Sequence, residues 1–86
     1  MPEICRFLGI VIRMYHDDHW PPHFHASYGG EMASIAIDDL RIMAGHLPGR
    51  VIGLILEWAL EHRDELFEDW ELARRIEPLN KIEPLV

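Results

Sequence analysis

Two consecutive glycines, Gly29-Gly30, separate two short runs of residues in the middle of the chain, and this pair constrains the fold more than any other feature. A two-residue hairpin turn of type I′ needs positive φ at both central positions, which glycine adopts without strain. The runs on either side, residues 23–28 and 31–37, have the composition of strands. The pair therefore predicts a β-hairpin in which Tyr28 lies opposite Glu31.

This register separates apolar from polar side chains, because successive residues of a strand point to opposite faces of the sheet. A slip of one residue would exchange the two faces, so the prediction depends on the turn. On the apolar face, the predicted pairs are Ala26 with Ala33 and Phe24 with Ile35. The second face then carries His23, His25, Ser27, Ser34 and Ala36.

Two further strands are expected beside this hairpin. Alternating branched and aromatic residues predict a first strand from Phe7 to Tyr15. A tight turn at Asp38-Asp39, with Ile37 opposite Leu40, predicts a fourth strand from Leu40 to Ala44. These strands would pair Ile35 with Ile42 and Ala33 with Ala44, and would add Arg13, Tyr15, Arg41 and Met43 to the second face.

The second half of the chain has the pattern of two amphipathic helices. Pro48 suits the first turn of a helix, and apolar residues follow it at helical spacing as far as His62. One uninterrupted helix from 48 to 75 would be about 40 Å long, so a break is expected near His62–Asp64. In the second helix, Leu66, Trp70 and Ala73 should face inward. The tail, Glu77–Val86, contains two prolines and is expected to be an extended arm or an added edge strand.

These elements predict an α+β fold. It consists of a four-stranded antiparallel meander with two C-terminal helices packed on one face, and residues 1–86 form a single domain. A domain of 86 residues buries a small core, which favours oligomerisation.

Composition narrows the class of protein. One cysteine and no leader-like N-terminus favour a cytoplasmic protein, and no apolar run reaches the roughly 20 residues needed to cross a bilayer. The net charge of −7 argues against broad affinity for nucleic acids, which depends on Lys and Arg at phosphates.

The chain resembles a family of small bacterial proteins catalogued as domain of unknown function 4160. The resemblance rests on the Pro-Pro-His-Phe-His run from Pro21 to His25, the segment Gly9–Tyr15, Leu47-Pro48 and Leu56-Glu57-Trp58. Genes of this family often stand beside another small gene, in pairs that look like toxin–antitoxin modules. The resemblance therefore implies a component of such a two-protein module, with a small partner protein encoded nearby.

A histidine-rich segment is the first candidate site. His23 and His25 share one strand face, and His16 and His19 approach from the preceding loop, with Asp17 and Asp18 between them. Imidazole suits zinc and other transition metals, and a catalytic zinc site needs only three protein ligands. These four histidines are the predicted metal ligands. In the alternative, the loop histidines are solvated and the strand pair caps the sheet by hydrogen bonds to Ser34 or to the backbone.

The second candidate is the polar sheet face itself. Arginine, tyrosine and histidine side chains on one face can orient a phosphate group and move protons near neutral pH. RNA would be the substrate of such a ribonuclease-like site, whereas a face that is merely polar is the simpler alternative. The residues predicted to act there are Arg13, Tyr15, His23, His25 and Arg41.

The third candidate is a protein-binding role without catalysis. Trp20 precedes two prolines on a loop, where full burial of an aromatic ring is not expected, and such a residue is a common anchor for a partner. Packing of the ring on a proline is the alternative. The predicted partner-binding residues are Trp20, Pro21 and Pro22.

Overall fold

The computed structural model describes residues 2–16 and 18–86, and Met1 and Asp17 lie outside the described residues. In this part of the chain, five strands precede two helices, and the strands form one antiparallel sheet in sequence order. The strands are β1 (Glu3–Phe7), β2 (Ile10–Arg13), β3 (His23–Tyr28), β4 (Glu31–Ala36) and β5 (Ile42–Gly45), and the helices are α1 (Gly49–Glu61) and α2 (Arg63–Arg74).

The central hairpin has the predicted register. Gly29 and Gly30 have φ values of 58° and 85°, as a type I′ turn requires. Tyr28 pairs with Glu31 across the turn. The pairs of Ala26 with Ala33 and of Phe24 with Ile35 are also confirmed. The α+β class is therefore confirmed together with the β3–β4 pairing on which the predicted faces depend.

The predicted first strand is wrong, because the segment from Phe7 to Tyr15 contains a turn. Leu8 and Gly9 both have positive φ, 51° and 81°, and they reverse the chain between Phe7 and Ile10, which pair. The sheet therefore has five strands and not four. Only one of the two turn residues is a glycine. Because branched residues lie on both sides of the turn, the sequence pattern is that of one continuous strand.

The predicted turn at Asp38-Asp39 is wider than two residues. Leu40 has φ 59°, and the N–H of Ile37 donates to the carbonyl of Pro22 (3.0 Å), so Ile37 does not pair with Leu40. Ile35 pairs with Ile42 as predicted, but a bulge follows. Ala33 consequently lies opposite Gly45 and not opposite Ala44, and β5 begins at Ile42.

Both helices were predicted correctly, including the break between them. Helix α1 ends at Glu61 and α2 begins at Arg63. Leu66, Trp70 and Ala73 are buried as expected. The ring of Trp58 on α1 lies 5.9 Å from the rings of Phe7 and Phe24, which places the helix against the apolar face of the sheet.

The tail is an extended arm and forms no strand. The N–H of Ile82 donates to the carbonyl of Ile4 (2.9 Å), and the indole N–H of Trp58 donates to the carbonyl of Glu83 (2.8 Å). The arm thus connects β1 to α1. No helix within residues 2–16 and 18–86 has the length and apolar character needed to cross a membrane.

Candidate metal centre

The start of β3 and the loop before it bring two histidines and one aspartate together. His23 and His25 are two residues apart on the strand, and the loop returns Asp18 toward them. Oδ2 of Asp18 lies 3.0 Å from Nε2 of His23 and 3.0 Å from Nε2 of His25. One carboxylate oxygen therefore faces two imidazole nitrogens.

These three side chains form a set of potential metal ligands. Their ligand atoms all lie within 4.8 Å of one another. In a tetrahedral site with metal–ligand distances of about 2.0–2.1 Å, neighbouring ligand atoms are roughly 3.3 Å apart, so small side-chain movements would admit an ion between these groups. Two histidines and one carboxylate are a donor set used by both zinc and iron(II).

The position of the proton on His23 decides what can lie between this ring and the carboxylate of Asp18. Its Nδ1 lies 2.7 Å from the carbonyl oxygen of Pro21, so Nδ1 carries a proton and donates it. In a neutral ring, Nε2 then has only a lone pair, and this lone pair faces the carboxylate of Asp18. Because His23 is 1% exposed, water does not separate the two acceptors. A cation is needed between them, either a second proton or a metal ion.

His25 is held differently and is less buried. Its Nδ1 lies 3.3 Å from the hydroxyl oxygen of Ser34, its neighbour in register on β4. The hydroxyl group can accept a hydrogen bond from Nδ1–H of the neutral ring, and Nε2 would then carry only the lone pair of a ligand. Both histidines thus have a partner at the nitrogen that points away from Asp18, as metal-ligating histidines usually do.

The charge of Asp18 is stabilised by its neighbours. Partial burial opposes ionisation, but hydrogen bonds from His25 and His19 outweigh it and hold the pKa of Asp18 well below its usual range. The carboxylate accepts the backbone N–H of His19 at 2.8 Å, and the ring Nδ1 of His19 lies at the same distance from Oδ1. Asp18 is therefore ionised at neutral pH, as a metal ligand must be.

The predicted polar face contributes three further side chains beside the Asp18, His23 and His25 set: those of Arg13, Tyr15 and Ser27. Arg13 pairs with His25 across β2 and β3, and its guanidinium group donates to Ser27 (3.1 Å). The ring of Tyr15 meets the ring of His25 edge-on, with centroids 4.5 Å apart.

His23 departs from the predicted open face, because its ring is buried against the rings of Trp70 on α2 and of His19.

Other predicted site residues lie elsewhere or make different contacts. Nε2 of His16 lies 3.1 Å from the carbonyl oxygen of Glu77 in the tail, and His16 is outside the ligand set. Arg41 donates to Asp39 at 2.9 Å, in the turn before β5. His19 contacts Asp18 on the oxygen that does not face the two strand histidines.

The loop residues predicted to bind a partner have separate environments. The side chain of Trp20 projects from the loop and the residue is 69% exposed. The Trp20–Pro21 peptide bond is cis, the carbonyl of Pro21 orients His23, and Pro22 is buried.

Asp18 was not among the predicted ligands. The spacing of the histidines predicts imidazole ligands. The sequence signal for Asp18 is a carboxylate five residues before His23. Periodicity does not describe a loop, so the approach of Asp18 to β3 is visible only in three dimensions.

The family resemblance is borne out by comparison with known families. The family described as "Domain of unknown function (DUF4160)" matches residues 9–71. The chain belongs to this family. The DUF4160 match includes Asp18, His23, His25 and Arg13, and it leaves out β1 and the C-terminal arm. No curated protein and no solved structure matches the chain.

Proposed function

We propose that this protein binds one divalent transition metal ion through Asp18, His23 and His25, and that this metal centre performs its function. One observation carries the proposal. Nε2 of both histidines lies 3.0 Å from the same carboxylate oxygen, and Nδ1–H of His23 donates to the carbonyl of Pro21.

A metal ion suits this site better than a second proton on His23. A second proton on His23 would join one imidazole to the carboxylate and leave Nε2 of His25 at the same oxygen, Oδ2 of Asp18. A metal ion would satisfy all three ligand atoms at once. The Pro21 carbonyl and the Ser34 hydroxyl would then orient the two imidazoles, as outer-shell groups do in metal sites.

Three protein ligands leave coordination positions open, which is typical of catalytic rather than structural sites. A metal ion of this kind lowers the pKa of bound water and polarises substrate oxygen atoms. The half-buried side of His25 faces Arg13 and Tyr15. The proposed function is therefore that of a small metal-dependent enzyme whose reaction takes place on the polar face of the sheet.

The direct test is calorimetric titration of chelator-treated protein with zinc, using the parent chain and Asp18→Asn. We expect binding in the micromolar range or tighter for the parent and a loss of at least about a hundredfold in the variant, since removing outer-shell partners alone costs 10–100-fold. The matched control is Asp64→Asn, which removes the same charge from an exposed position on α2. Parent binding no tighter than millimolar would refute the proposal.

His16→Gln distinguishes this three-residue site from the four-histidine site suggested by the sequence. Because His16 contacts the tail, its replacement should leave zinc affinity unchanged. A large loss of affinity would mean that the loop rearranges to bring His16 to the metal.

A second proposal concerns the partner that the family context implies. Trp20 is 69% exposed and lies on the same loop as Asp18, so a protein that bound this ring would contact the loop that carries a proposed ligand. In a toxin–antitoxin-like module, such an arrangement would let the partner control the activity.

The module is tested by growth of a bacterial culture in which this chain is induced alone or with the protein encoded by the neighbouring gene. Growth arrest by the parent, its relief by the neighbour, and no arrest by folded Asp18→Asn are expected. Trp20→Ala should still arrest growth but escape the relief, whereas Leu60→Ala, another exposed apolar residue, should not escape. Normal growth with the parent alone would count against a toxic role.

A further inference from the structure

We infer that the metal centre binds a phosphate ester, with phosphoryl oxygen atoms on the metal and on Arg13, and with the organic group in the groove beside Ser27. The inference rests on the proposed metal site and names its ligand class. It is carried by the position and pairing of Arg13 and by the shape of the sheet face around it.

Arg13 is placed to bind an anion. It lies directly across from the ligand His25 on the neighbouring strand. Its other neighbour in register, Glu3, uses both carboxylate oxygens for Arg6, at 2.8 and 3.0 Å. Among the described residues, the guanidinium group of Arg13 has one hydrogen bond, to a neutral hydroxyl group, and no carboxylate within ion-pair distance.

An arginine that forms no ion pair with the described residues and lies across from a proposed metal ligand suits a phosphoryl group. The planar guanidinium fork donates two parallel hydrogen bonds to phosphate oxygens, and the metal can take a third oxygen. The hydroxyl group of Ser27 accepts from Arg13, and the ring of Tyr15 lies against the ring of His25. The net charge of −7 repels anions from the protein as a whole. A bound anion therefore needs a local positive site of this kind.

The groove continues from this anion site along the same sheet face. Arg13, His25 and Ser34 form one row across β2, β3 and β4, and Val11, Ser27 and Met32 form the next row. Residues two apart on a strand share a face and lie about 7 Å from each other. Ser27 therefore touches Arg13 on one side and lines the groove on the other.

The size and lining of the groove suit an apolar or aromatic group. Its volume is about 360 Å³, and its walls include Val11, Tyr28, Met32 and the Gly29-Gly30 turn, with the acidic Glu31 beside the turn. Met32 is 48% exposed, so an apolar ligand would cover surface that now meets water. A phosphate ester that carries such a group would reach both the metal and the groove.

The test uses the cobalt(II)-loaded protein, whose visible absorption responds to ligands on the metal. Inorganic phosphate and phenyl phosphate are titrated separately into the parent and its variants. Phosphate should perturb the cobalt spectrum of the parent, and Arg13→Gln should bind phosphate about tenfold or more weakly, the expected effect of losing hydrogen bonds to a charged group. Arg13→Lys should recover part of this loss, and Arg74→Gln, the same charge change on α2, should have no effect.

The organic group is tested by the difference between the two probes. Phenyl phosphate should bind the parent several-fold more tightly than inorganic phosphate, and Met32→Ala should reduce this preference. Ile42→Ala is the matched control, because Ile42 is similarly exposed at 47% but does not line the groove. Equal affinity for the two probes would refute the inference that the ligand is a phosphate ester and would leave free phosphate as the ligand.

The outcomes separate this inference from the proposed function. If Arg13→Gln binds cobalt and phosphate as the parent does, the phosphate site is refuted while the metal site stands. If the parent binds no metal, both are refuted, since the metal supplies half of the phosphate site.

Discussion

Nε2 of His23 lies 3.0 Å from Oδ2 of Asp18 in a part of the protein where the histidine is sealed from solvent. The pair is a salt bridge if Nε2 is protonated, whereas in the neutral ring the single proton is donated from Nδ1 to the Pro21 carbonyl and Nε2 presents a lone pair to the carboxylate. The contact therefore has the form of a site for a cation, and the predictions about metal binding follow from it.

Zinc should stabilise the folded protein. A ligand that binds only the native state raises the free energy of unfolding by about 2.7 kcal/mol at a free concentration of one hundred times its dissociation constant. For a domain of this size, that gain raises Tm by roughly 10–20 °C. Thermal unfolding followed by circular dichroism, with and without zinc, measures the shift. Asp18→Asn should lose it, and a shift that survives in this variant would place the ion elsewhere.

Ser34→Ala should weaken metal binding without removing it. The hydroxyl group orients His25 through Nδ1, so its loss leaves the ligands in place but the ring less well held. Outer-shell changes of this kind typically lower metal affinity by about 10–100-fold. Zinc titration of Ser34→Ala beside Ser27→Ala, a serine on the same face that contacts Arg13, distinguishes this effect from a general loss of polarity. Equal affinities in the two variants would argue against the orienting role.

Asp69 should make the protein less stable as the pH rises. Burial raises the pKa of Asp69 above its ordinary value of 3.8, and the nearby Glu68 and Glu65 raise it further, against one hydrogen bond from the backbone N–H of Asn80. A carboxyl group whose pKa is higher in the folded state contributes stability that is fully present below the unfolded value. This contribution is lost as the pH rises through the folded value.

The corresponding measurement compares urea unfolding of the metal-free parent and Asp69→Asn from pH 4 to pH 8. The parent should lose stability relative to the variant as the pH increases, and Asp64→Asn, an exposed change on the same helix, is the control for the loss of a charge. A flat difference between the parent and Asp69→Asn would mean that this carboxyl group ionises normally.

Two glycines should respond in opposite directions to replacement by alanine. Gly45 has φ 84°, and a Cβ atom there would collide with the backbone of Met32 and Ala33. Gly45→Ala should therefore cost more than the roughly 1–3 kcal/mol typical of a strained residue. Gly53 lies in α1 with open space around the position, so Gly53→Ala should stabilise the protein by about 0.5–1 kcal/mol. Denaturant unfolding measures both, and a stable Gly45→Ala would require the β4–β5 bulge to relax.

The fold was predictable where local chemistry dictated one geometry. Gly29-Gly30 set the central hairpin and the faces of β3 and β4, and the length limit on a helix located the break at His62. The hairpin at Leu8-Gly9 was missed, since Leu8 takes a positive φ that side chains rarely adopt and that only the pairing of β1 with β2 makes visible. The bulge opposite Ser34 was missed for the same reason, because it depends on contact between strands.

The candidate site was predictable in part. Placing His23 and His25 on one strand follows from their spacing alone. The burial of His23 against Trp70 joins residues far apart in the sequence, and the approach of Asp18 depends on a loop with no repeating pattern. Arg41 was expected on the same face, but its carboxylate neighbours in the turn hold it.

The C-terminal arm has a consequence for the newly made protein. The last contacts of the fold join Glu83 to Trp58 and Ile82 to Ile4, and Glu77 meets His16 of the loop that carries Asp18. A nascent chain can make these contacts only after the arm has left the ribosome, whereas the three proposed ligands, Asp18, His23 and His25, precede the arm by more than fifty residues. The histidines are therefore synthesised before the arm that packs against their loop.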